Sequence, residues 1–108
     1  MAKVRIVYTY DGYPMRRADN VVRENITGDE EWQEYLFGQL EDYGIEATAA
    51  EVGSPYPADK SGDWVAVRVP ITVTYKGKRK HRLSEYCNNA ADYEEGFYCD
   101  SCYWEEVK

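Results

Sequence analysis

Hydrophobic and polar positions alternate from Lys3 to Tyr10, which puts Val4, Ile6, Tyr8 and Tyr10 on one side and Lys3, Arg5, Val7 and Thr9 on the other. A period of two is the signature of a strand with one buried face. Asp11-Gly12-Tyr13-Pro14 should end it, because Asp-Gly favours a turn and Pro14 excludes helical geometry at the residue before it. Residues 15 to 26 lack a clean period, and Val21 to Ile26, which could be a short strand or a poor helical turn, is read as a second strand.

The period then lengthens. Trp32, Tyr35, Leu36, Leu40 and Tyr43 form one apolar stripe at helical spacing. Thr27 with Glu30 three residues later makes a capping box, and Asp29, Glu30 and Glu31 suit the positive end of the helix dipole. Gly44 supplies the left-handed stop.

Ile45 to Val52 is read as a strand, and residues 54 to 63, rich in Ser, Pro, Asp and Gly, as a loop. From Val65 to Tyr75 every odd position is apolar, so one face is core. Pro70 cannot donate to a ladder, which implies an edge strand, a bulge or a bend. Lys76-Gly77-Lys78 is read as a hairpin turn from which residues 79 to 86 return antiparallel, with His81 opposite Val73 and Leu83 opposite Ile71. Phe97 to Val107 completes the pattern as a last strand or extended arm. These elements predict one α+β domain spanning residues 1–108, with one amphipathic helix packed on a mainly antiparallel sheet of four or five strands.

Composition supports a single core. At 108 residues with 44% hydrophobic content, the chain can bury enough apolar surface for one domain. No segment has the apolar length of a membrane span, and the N-terminus lacks the core of a signal peptide, so the expected location is cytoplasmic. The net charge of −7 argues against a phosphate backbone or an anionic membrane as partner. That charge is distributed in blocks: residues 29 to 63 carry ten acids and one base, and residues 64 to 83 carry six bases and no acid. The plainest expectation is that these blocks meet in the fold and screen one another.

Candidate chemistry centres on Cys87, Cys99 and Cys102 together with the sole histidine, His81. Three thiolates and an imidazole could complete a tetrahedral zinc shell. If residues 79 to 87 are one strand, however, His81 and Cys87 stand about 20 Å apart, so the chain must bend or a carboxylate such as Asp92 or Asp100 must replace the imidazole. Reduced, partly buried thiols are the expectation, with no cofactor, and zinc is the alternative. A disulfide is opposed by the odd cysteine count and by a cytosolic redox poise. No phosphate-cradling loop or catalytic triad spacing is present, and no enzymatic role is expected.

Two surfaces remain. The basic segment 76–82 could lie along phosphates, or could simply protect a sheet edge. The acidic positions Glu30, Glu34, Glu41 and Asp42 on the helix, with Tyr93, Glu94, Glu95, Tyr98, Tyr103 and Trp104 in the C-terminal third, offer negative charge beside aromatic rings. In composition alone this is similar to small acidic inhibitors of phages and mobile elements, such as anti-restriction and anti-CRISPR proteins. The expected function is a non-enzymatic module that occludes a basic surface of a nucleic-acid-handling protein, without direct nucleic-acid or membrane binding. The alternative is a small zinc-stabilised structural or nucleic-acid-binding module that uses the cysteines and the basic segment.

Overall fold

The computed structural model describes residues 2–77, 80–91 and 96–107. Its centre is the pair formed by β1 (Ala2–Pro14) and β4 (Trp64–Lys76), the two segments with the clearest alternation. They run antiparallel with Val4 opposite Val73, Ile6 opposite Ile71 and Tyr8 opposite Val69. This register keeps both apolar sides on one face, and a one-residue slip would turn every one of these side chains to solvent.

β5 (Ser101–Glu106) pairs with the outer side of β1, while β2 (Glu46–Val52) and β3 (Tyr56–Ser61) both pair with the outer side of β4. All pairings are antiparallel, in the order β2-β4-β1-β5, with β3 continuing the β2 edge. α1 (Trp32–Glu41) connects β1 to β2, and α2 (His81–Ala90) connects β4 to β5. With β2 and β3 counted as one interrupted strand, the connectivity is βαββαβ, that of a ferredoxin-like split βαβ. Leu36 and Leu40 of α1, with Leu83, Tyr86 and Ala90 of α2, join the inward strand residues in one buried cluster.

Pro70 lies in the middle of this central strand, and the break between β2 and β3 accommodates it. The Pro70 carbonyl accepts a hydrogen bond of 2.8 Å from Gly53 N, just beyond the end of β2 at Val52. The position with no N–H to offer therefore faces the point where the neighbouring strand leaves the ladder.

Five expectations are corrected. Asp11-Gly12-Tyr13-Pro14 does not end the first strand, which shifts register after Tyr10 and continues until Pro14 faces Trp64. Residues 15 to 26 form no strand: a 3-10 turn (Met15–Asn20) leads to a π turn (Arg23–Thr27). Val21 and Ile26, both buried, are five residues apart, the repeat of a π turn rather than of a strand. That turn takes up Thr27, so the capping box gives way to Asp29, whose Oδ1 accepts from Glu31 N at 2.9 Å. The stretch read as a loop contains β3. Residues 81–90 are helical rather than a returning strand, because both sides of β4 are taken: Val73 faces Val4 on one side and Ala50 on the other. The sheet thus carries two helices, where the sequence pattern implied one.

Candidate functional site: an acidic helix and its clefts

α1 and the turns flanking it carry six carboxylates: Asp29, Glu30, Glu31, Glu34, Glu41 and Asp42. All six are exposed, and none forms an ion pair among the described residues. The reason is partly local, since no Lys, Arg or His occurs between residues 24 and 59. Four of the described basic residues are engaged elsewhere. Arg5 pairs with Glu105 at 3.0 Å and Arg82 with Glu85 at 3.5 Å, while Lys80 contacts Glu106 and Arg17 contacts Glu24. Mutual screening of charge blocks therefore operates around β5 and α2 but leaves α1 uncompensated.

A cleft lies at each end of this helix. The one at its N-terminal end has a volume of about 260 Å³, walled by Trp32 and Tyr35 from α1, Asn25 and Ile26 from the π turn, and Tyr98 from the 3-10 turn Gly96–Tyr98. The one at its C-terminal end has about 380 Å³, with Phe37, Glu41 and Glu46 in its lining. Neither contains a basic residue.

Tyr98 is placed by an unusual backbone. Phe97 and Tyr98 both adopt left-handed conformations, with φ of 65° and 55°. For residues with a Cβ this costs roughly 1–2 kcal/mol each, so surrounding contacts must hold them. The Phe97 ring packs edge-on against Tyr8 at 5.4 Å and Tyr35 at 5.5 Å between centroids, and its carbonyl accepts a 3.0 Å hydrogen bond from the Tyr10 hydroxyl. With Phe97 buried, Tyr98 stands out into solvent at 70% exposure, at the rim of the cleft.

Tyr98 thus stands at the end of α1 that carries Glu30 and Glu34, Glu41 and Asp42 lie at the other end, and the rest of the C-terminal aromatic set is dispersed. Tyr93, Glu94 and Glu95 lie outside the described residues. Tyr103 and Trp104 are neighbours on β5 and point to opposite faces. The Arg68 guanidinium lies 5.6 Å from the centroid of the Tyr103 ring on the open face, where the Tyr103 hydroxyl is 3.4 Å from that of Tyr56. Trp104 instead donates to Ser84 Oγ at 2.9 Å on the helical side. The centre of the open face is not a free platform, since Val7, Thr9 and Ala66 are buried among Tyr103, Tyr56 and Arg68.

The three cysteines do come together, as free thiols between α2 and β5. The Cys99 thiol donates to Ala90 O at 3.2 Å. A hydrogen bond from Cys102 holds the Cys99 pKa below the usual thiol range, and the bonds of Cys102 to Cys87 and Cys99, with burial, push its own well above it. His81 is not part of this cluster: it is exposed in the first turn of α2, and six helical residues separate it from Cys87 by about 9 Å of rise. Asp92 lies outside the described residues, and the Asp100 carboxylate accepts from Asp11 N at 2.8 Å. Among the described residues no three His, Cys, Asp or Glu side chains are arranged to hold a metal ion. The basic segment 76–82 is divided too: Lys78 and Arg79 lie outside the described residues, while Lys80 and Arg82 are paired. No described helix is long and apolar enough to cross a membrane.

Sequence reasoning missed α2 and the cleft. Leu83, Tyr86, Cys87 and Ala90, all buried, make a helical stripe that was available to be read. Comparisons with protein-family models, curated proteins and solved structures returned no match.

Proposed function

We propose that this chain is a non-enzymatic binding protein whose acidic α1 surface occludes a basic surface of a nucleic-acid-handling protein. The observation that carries this reading is the set of six carboxylates on α1 and its flanking turns, none of which forms an ion pair among the described residues. Like charges this close repel one another, and stacked pairs on one helix weaken it by about 0.2–0.5 kcal/mol each. A basic partner would turn that repulsion into attraction and speed encounter. The zinc-stabilised nucleic-acid-binding alternative has less support, because Lys80 and Arg82 are engaged internally and the described residues present no metal cage.

The test is a paired capture from cells that express the protein, using the wild-type chain and a Glu30→Lys/Glu34→Lys/Glu41→Lys variant. A nucleic-acid-handling partner should be retained by the wild type, released by salt, lost by the variant, and blocked from its nucleic acid when bound. Retention indifferent to both salt and charge reversal would overturn the proposal.

A further inference from the structure

We propose that the cleft at the N-terminal end of α1 is a receptor for one arginine side chain of the basic partner. This rests on the proposed function and names the chemistry that the acidic surface reads.

At about 260 Å³ the cleft falls below the usual 300–1,000 Å³ of small-molecule and cofactor pockets, which suits a single side chain. Its walls present Trp32, Tyr35 and Tyr98, whose ring faces attract cations. Its amide and carboxylate groups offer acceptors. Asn25 Nδ2 is committed to Tyr13 Oη at 2.8 Å and Val21 O at 2.9 Å, so Oδ1 is the remaining polar atom of that side chain. Asp29 adds a carboxylate.

The N-terminus of α1 pulls the other way, since a helix dipole places about half a positive charge there. Asp29, Glu30, Glu31 and Glu34 surround that end with four formal negative charges, so the local field favours a cation. Among cations, guanidinium fits best. It is planar, stacks on aromatic faces, sheds water more readily than ammonium, and offers donors in a fork that can reach a carboxylate and an amide oxygen together. The left-handed Phe97–Tyr98 backbone, fixed by Tyr8, Tyr10 and Tyr35, holds Tyr98 at the rim before any ligand arrives.

The experiment is an NMR titration of the isotope-labelled full chain with N-acetyl-arginine amide, run beside the lysine, tetramethylammonium and glutamate analogues. Arginine should give saturable shifts at the Trp32 indole N–H and the Tyr98 amide, with an affinity about two- to five-fold above that of lysine. Asp29→Asn should weaken binding about five-fold. Tyr98→Asn should remove it while the chain stays folded, because asparagine tolerates the left-handed conformation. Glu51→Gln, on β2 outside the cleft, should change nothing.

Shifts that never saturate at the cleft, a preference for the glutamate analogue, or unchanged binding by folded Tyr98→Asn would each overturn the inference. A salt-sensitive partner without arginine binding in the cleft would remove this inference and leave the proposed function standing. Arginine binding in the cleft with partner capture indifferent to α1 charge would do the reverse.

Discussion

The two helices occupy equivalent places in the fold and treat their outer surfaces in opposite ways. Both bury an apolar stripe against the same side of the sheet. α2 is also tied down at its rim: Lys80 and Glu106 pair, Ser84 accepts from Trp104, and the Arg82 guanidinium lies 5.5 Å from the centroid of the Tyr43 ring. Among the described residues, α1 has no such ties through its carboxylates. Packing decides where each helix sits, whereas the charges outside that packing are free to answer to something other than the fold.

If the two helices are equals in the core, Leu40→Ala in α1 and Leu83→Ala in α2 should each destabilise by about 2–5 kcal/mol, measured by urea unfolding. A small loss for Leu40→Ala alone would make α1 an accessory rather than half of the core.

The approach to α1 offers a sharper contrast. A Cβ at Gly28 would stand 2.3 Å from Arg23 O, so Gly28→Ala should destabilise by about 1–3 kcal/mol as the π turn is forced open. Gly38, within α1, has nothing within 4 Å of the same position, and Gly38→Ala should stabilise by about 0.5–1 kcal/mol. Equal signs for the two would contradict the close approach at Gly28.

Where α2 meets β1 and α1, the Tyr86 hydroxyl lies 2.8 Å from that of Tyr8 and donates to Gln39 Oε1 at 2.8 Å. Burial raises the pKa of both phenols well above the ordinary value. With folded values raised, the neutral phenols contribute stability that is fully present below the unfolded pKa of about 10 and is lost as pH climbs beyond it. Alkaline unfolding followed by circular dichroism should therefore begin near that pH and coincide with phenolate absorbance. Tyr86→Phe should cost about 1–3 kcal/mol by removing the hydrogen-bond partner of the buried Tyr8 hydroxyl.

The smallest stability effects separate the helices most cleanly. Lys80→Ala should lower the thermal midpoint only slightly, by releasing its exposed pair with Glu106. Glu41→Lys, at the negative end of the α1 dipole, should lose nothing in thermal unfolding, or gain slightly as repulsion on α1 is relieved.

The central strands and α1 were legible because their side chains obey a single period over many residues. α2 was not, because residues 79–86 follow a strand and a Gly turn and so resemble a hairpin. The helical spacing of Leu83, Tyr86, Cys87 and Ala90 competes with that reading, and the count of partners on β4, which is tertiary, decides between the two. The π turn was hidden for a related reason, since Val21 and Ile26 match neither common period. The acidic half of the candidate site was legible as composition in Glu30, Glu34, Glu41 and Asp42. The cleft was not, because it depends on the left-handed Phe97–Tyr98 backbone, which brings Tyr98 to Trp32 across more than sixty residues of sequence. Tyr103 and Trp104 show the converse, being adjacent in sequence and separated by the sheet.

The most direct test is the affinity for the captured partner as a function of salt, compared between the wild type and the Glu30→Lys/Glu34→Lys/Glu41→Lys variant at matched stability. An acidic helix that reads a basic surface predicts wild-type affinity that falls steeply with salt, and a variant that loses both the affinity and the slope. A variant that binds as tightly as the wild type, with the same salt dependence, would contradict it.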